Sequence, residues 1–94
     1  MMQTTTSTSA PPSDIEIRAR IVRILADILE RDAESVSQAH HIRADLGMDS
    51  LNALEFLSAI SHEFRIDLAV EDAFGITTMD EVVSLVGAQI RAQR

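Results

Sequence analysis

Apolar residues first take up a regular spacing at Ile17. Ile17, Ile21, Ile24, Leu25 and Ile28 recur at three- and four-residue intervals, while Arg18, Arg20, Arg23 and Asp27 fall elsewhere on the wheel. That is the period of a helix with one buried face. Ser13-Asp14-Ile15-Glu16 ahead of it has the form of a capping box, and the two prolines before it end any earlier element. The pattern predicts a first helix from about Asp14 to Arg31. Between Asp32 and Gly47 the period is lost, and Val36, Ile42 and Leu46 stand as spaced apolar residues in a polar stretch. A loop of that length in a small domain has to be pinned. These three side chains are the expected anchors.

A second long helix is predicted from Asp49 or Ser50 to near Phe64. Its period-matched face is Phe56, Leu57, Ile60 and Phe64, with Ala53 one turn earlier. Leu51 and Leu54 lie partly off that face. They read either as an exposed contact pair or as packing under a loop. Arg65 to Ala69 is a connector, and Val70 to Phe74 forms one turn that Gly75 would close in a left-handed conformation. Thr78-Met79-Asp80-Glu81 is a second capping box, followed by Met79, Val82, Val83, Val86 and Ile90 on one helical face as far as Gln93. Gly87 inside it either weakens the helix or permits a close helix contact. The expectation is an all-α fold: a small four-helix bundle, three main helices and a short third, with a long loop between the first two.

Composition narrows the function more than the fold. The 94 residues suit one domain, expected over residues 13–93, and they contain no cysteine. Disulfides, thiolate catalysis and Cys-based zinc sites are thereby excluded. His40-His41 without a nearby cysteine makes a poor metal site, so none is expected. The net charge is −7, and from Asp45 to Glu81 nine acidic residues face a single basic one, Arg65. Such a surface argues against nucleic acid and suits either partners with basic patches or simple solubility. Residues 1–12 are rich in Thr and Ser, with neither the basic nor the apolar part of a signal peptide. A disordered tail is expected there. No apolar run reaches the ~20 residues that span a bilayer. A cytoplasmic monomer is the expectation.

The chemistry concentrates at Asp45-Leu46-Gly47-Met48-Asp49-Ser50-Leu51. As a cap, Asp49 or Ser50 would accept from the first-turn amides of the second long helix. As a nucleophile, Ser50 needs a base, but His62 lies on the same helix about 18 Å away, and there is no Gly-x-Ser-x-Gly elbow. As an attachment point, a serine at the first turn of a helix is exposed, and the helix N-terminus favours a phosphate bonded there.

This heptapeptide resembles the Asp-Leu-Gly-x-Asp-Ser-Leu motif of acyl carrier proteins, of the stand-alone, type II kind. The likeness continues through Glu55, Phe64 to Leu68, Glu71-Asp72-Ala73 and Ile76-Thr77-Thr78, covering about residues 15–92. It implies that Ser50 carries 4′-phosphopantetheine, taken from coenzyme A by a holo-carrier-protein synthase (a phosphopantetheinyl transferase). It implies a non-catalytic protein whose borrowed thiol holds acyl groups as thioesters, which accords with the missing cysteines. Acyl-processing enzymes with basic patches would read Asp49, Leu51, Leu54, Glu55 and Glu63. Ile42, Leu46, Phe56, Leu57, Ile60, Leu68, Ala73, Ile76 and Met79 match positions that line an acyl chain in the family. On the residues alone they are an ordinary aliphatic core, and such a core can deform.

Asn52, Ser58 and the Ser61-His62-Glu63 stretch depart from the usual fatty-acid pattern. They fit a carrier for a polyketide, a modified lipid or another secondary metabolite, or for an activated amino acid. An unmodified helical adaptor that binds through the same helix is the alternative of a different class.

Overall fold

A computed structural model of the chain describes residues 12–75 and 77–93. Among the described residues the structure is helical, without strands: α1 Asp14–Leu29, α2 Ala33–Ser37, α3 Ile42–Leu46, α4 Ser50–Phe64, α5 Val70–Gly75 and α6 Met79–Ala92. The three long helices fall where the period and the capping boxes put them. The tail expected over residues 1–12 lies, except for Pro12, outside the described residues.

Each long helix begins with a closed box. Ser13 accepts from the Glu16 amide while Glu16 reaches back to the Ser13 amide, and Thr78 and Glu81 do the same for α6. Two orphan donors are satisfied at each helix start without help from the core. At their C-termini α1 and α4 use a left-handed residue that is not glycine, Glu30 (φ 54°) and Arg65 (φ 55°). A side chain there costs about 1–2 kcal/mol. After Arg65 the amide of Ile66 bonds back to Ser61, and the Ile66 side chain is buried beneath it. That hydrophobic contact offsets the backbone cost.

The connection between α1 and α4 differs from the expected loop. Asp32 to Gly47 contains two one-turn helices, α2 and α3, too short to stand alone. Val36 and Ile42 are fully buried and Leu46 nearly so, so the three anchors named above pin them to the core. Gly75 also differs. It lies inside α5 and has no positive φ. The left-handed glycine is instead Gly47, at φ 67°, closing α3.

The core is aliphatic. Ile17, Ile21 and Leu25 of α1 meet Phe56 and Ile60 of α4 and Val82 and Val86 of α6. Ile24 and Ile28 pack at its margin. No described polar or charged residue is buried. Gly87 is buried on α6, but a Cβ there would meet only the Arg91 guanidinium of its own helix at 3.4 Å and the Asp14 carboxylate of α1 at 3.8 Å, ordinary contacts, so no close helix approach demands glycine at this position.

Candidate functional site

The heptapeptide is built from the inside outward. Leu46 and Met48 are buried, at 4% and 7% exposure, and they fix the segment on both sides of Gly47. Gly47 takes a positive φ with nothing within 4 Å of where a Cβ would stand. Glycine is therefore needed for its backbone freedom and not for room. The Met48 amide bonds to the Arg43 carbonyl at 3.0 Å. The turn that follows delivers Asp49 as N-cap and Ser50 as the first residue of α4.

Asp49 is the cap. Its Oδ1 accepts the Asn52 amide at 2.8 Å, and Asn52 Oδ1 accepts the Asp49 amide at 3.3 Å. The Ala53 amide bonds to the Asp49 carbonyl. Asn52 Nδ2 also donates to Glu55 Oε1 at 3.4 Å. Asn52 thus accepts on one side and donates on the other, which a carboxylate at that position cannot do. In the sequence Asn52 shows only as a departure from the usual fatty-acid pattern, and nothing there signals this pair of bonds.

Ser50 is exposed, and its hydroxyl makes no hydrogen bond within the described structure. With the amides of Asn52 and Ala53 taken by Asp49, those of Ser50 and Leu51 are the first-turn donors left over. A phosphodiester on the Ser50 oxygen would sit where the helix dipole and these two amides favour an anion. The Asp49 carboxylate is occupied by the cap. The residues present fit such a group.

Around Ser50 the outer face of α4 is open. Leu51 is 66% and Leu54 38% exposed, which settles these two as surface residues. An open groove lined by Leu54, Glu55, Ser58, Ala59 and His62 runs on from them. Asp49, Leu51, Leu54 and Glu55 therefore share the first two turns. Glu63 stands apart, near the end of α4, in an ion pair with Arg20 of α1 at 3.7 Å. Arg20 also lies over the Phe64 ring, 5.7 Å from its centre.

Of the expected acyl-lining set, Ile42, Leu46, Phe56, Leu57, Ile60 and Met79 are buried and Leu68 packs against them. Ile76, and the side chain of Ala73, lie outside what is described.

Two carboxylates, Asp45 in the heptapeptide and Glu81 on α6, titrate low. The His41 and His40 amides, in that order, hold Asp45 below the ordinary carboxylate value. The Thr77 hydroxyl, followed by the Thr78 and Thr77 amides, does the same for Glu81. Among the described residues no cluster of His, Cys, Asp and Glu has the form of a metal site, and no helix is long and apolar enough to cross a membrane.

Residues 19–86 match the family model described as the phosphopantetheine attachment site. The chain is 38% identical over 77 residues to an acyl carrier protein of Picosynechococcus sp., covering 82% of this chain and 95% of that one. It is 33% identical over 88 residues to a chloroplastic acyl carrier protein of Brassica napus, covering 94% of this chain and 63% of the plant protein.

Proposed function

This chain belongs to the acyl carrier protein family, and we propose on that footing that Ser50 is its point of attachment. The family's prosthetic group, 4′-phosphopantetheine, is covalently bound, and the protein is a carrier and not a catalyst. When attached, the group supplies a terminal thiol that holds acyl cargo. Everything else falls to the chain. α4 presents the serine, Asp49 and Asn52 fix the helix start, and Leu51, Leu54 and Glu55 offer partners an apolar pair beside a carboxylate.

The observation that carries this reading is the exposed Ser50 hydroxyl, without a partner, at the N-terminus of α4. The working unit is residues 13–93, a cytoplasmic monomer. It exchanges cargo with a phosphopantetheinyl transferase and with acyl-processing enzymes whose basic patches read α4. Uncharged Asn52 and the Ser58–His62 groove point the cargo toward polyketide or other specialised lipid and secondary metabolism rather than bulk fatty acids. Ile42, Leu46, Phe56, Leu57, Ile60 and Met79 would yield to an aliphatic chain drawn inward.

Co-expression with a phosphopantetheinyl transferase should raise the intact mass by one 4′-phosphopantetheine, and Ser50→Ala should abolish the rise. An unchanged wild-type mass with several transferases rejects the attachment. It would leave the unmodified adaptor.

A further inference from the structure

The segment bearing Ser50 is tied to α6 by a chain of backbone bonds that starts at one carboxylate. Glu81 Oε1 accepts the Thr77 amide at 2.8 Å, the Thr78 amide at 2.9 Å and the Thr77 hydroxyl. Thr77 is thus held by its nitrogen and its side chain. Its carbonyl, on the other side of the same residue, accepts the amide of Ile42 at 2.8 Å. Next to this bond His41 and Thr78 form a single antiparallel pairing.

Ile42 is the first residue of α3. At that helix start Asp45 Oδ2 accepts the amides of His40 and His41 at 3.0 and 2.9 Å. α3 in turn ends in Gly47 and Met48, directly before Asp49 and Ser50. A five-residue helix cannot hold itself. Its C-terminal end is anchored by buried Leu46 and Met48, and its N-terminal end by Ile42, whose amide depends on Thr77.

We propose that Glu81 is a positioning residue for the modification of Ser50, acting through Thr77 and α3, with Asp45 holding the far end of the same relay. The inference rests on the reading of Ser50 as the attached residue. Glu81 touches neither Ser50 nor its surroundings, and it fixes the carbonyl on which α3 hangs. The bonds that both carboxylates accept hold them below the ordinary carboxylate value. When the Thr77–Ile42 bond opens, the buried Ile42 side chain alone holds that end of α3, and the turn from Gly47 to Asp49 loses its single geometry. A transferase that binds the closed form then meets less of it. KM rises by the inverse of the closed fraction, and kcat, set after binding, does not change.

Glu81→Ala and Asp45→Ala test this at the two ends of the relay. Asp72→Ala is the control, because Asp72 caps the Ala69 amide at 3.1 Å with the same kind of bond, away from α3. The Ile42 amide should lose nearly all its protection from exchange in both relay variants, because an about threefold rise in KM requires the open form in about two-thirds of the molecules, and stay unchanged in the control, with Phe56 and Ile60 of α4 within about twofold. KM for loading from coenzyme A, followed by intact mass, should rise about threefold or more with kcat within about twofold. Glu81→Gln, which keeps the acceptor oxygen, should recover most of the wild-type KM.

If Glu81→Ala loses α6, Asp45→Ala carries the test alone, since it removes no contact from that helix. Unchanged Ile42 exchange in both relay variants overturns the proposal. So does unchanged KM with Ile42 opened. Ser50→Ala separates the two claims. A mass gain that persists in it rejects Ser50 as the attachment point, whereas a gain lost there with unaltered KM in the relay variants rejects the relay alone.

Discussion

α4 and α6 begin alike and are used differently. Both open with a closed capping box, Asp49 with Asn52 and Thr78 with Glu81. At α6 the first helical residue, Met79, is buried at 4% exposure, and Glu81 goes on to hold Thr77. At α4 the first helical residue is exposed Ser50, and Leu51 beside it is 66% exposed. The same local device therefore serves a junction in one place and a display in the other. The cap sets where a helix starts. Whether its first turn is buried or offered to solvent decides what that turn is for.

The largest difference between the two starts should appear on truncating their first-turn apolar residues. Met79→Ala should lower unfolding stability by about 2–5 kcal/mol in urea melts, the range for a buried methionine. Leu51→Ala should stay within about 0.5 kcal/mol, as an exposed position does. A loss above about 1 kcal/mol at Leu51 would mean that α4 is no free display.

The caps themselves sharpen the contrast. Thr78→Ala and Asp49→Ala should each cost about 1 kcal/mol. The Thr78 variant should also quicken exchange at Ile42, whereas the Asp49 variant should loosen only the first turn of α4. Equal effects at Ile42 would break the distinction.

Acid tests the junction without mutation. Asp45 and Glu81 both have lowered folded-state pKa values, so their contribution is complete above the ordinary carboxylate value and is lost as pH falls through the lower, folded one. The Ile42 amide resonance should hold steady from pH 7 to 5 and move only below about pH 4. Movement already above about pH 5 would break this assignment to the two carboxylates.

The smallest effect is expected at Arg18, which pairs with Asp80 across α1 and α6 with both side chains exposed. Arg18→Ala should cost less than about 0.5 kcal/mol, because solvent screens such a pair.

The long helices were legible because each has a period, and α1 and α6 also open with a Ser or Thr and a glutamate at box spacing. Ile17, Ile21 and Leu25 gave the inner face of α1, and Ser13, Asp49 and Thr78 gave three of the helix starts. α2 and α3 were not legible as helices, since five residues leave no period to read, yet their anchors Val36, Ile42 and Leu46 were. Gly75 misled because glycine permits a left-handed end without requiring one, while Glu30 and Arg65 adopt it with no glycine to signal it. At the site, Ser50 and its exposed neighbours followed from the motif and from leucines off the buried face. Asn52 holds the box position three after the cap without being Glu or Gln, so its paired bonds went unsignalled. The Thr77 carbonyl that accepts the Ile42 amide joins two segments that only the folded chain brings together.

The interior described above contains no polar side chain among the described residues. When a side chain in it shifts, no hydrogen bond is broken and no donor is stranded, so the cost of rearrangement is packing alone. Such an interior has no directional preference to enforce. What it resists is a change of volume, whichever side chain moves.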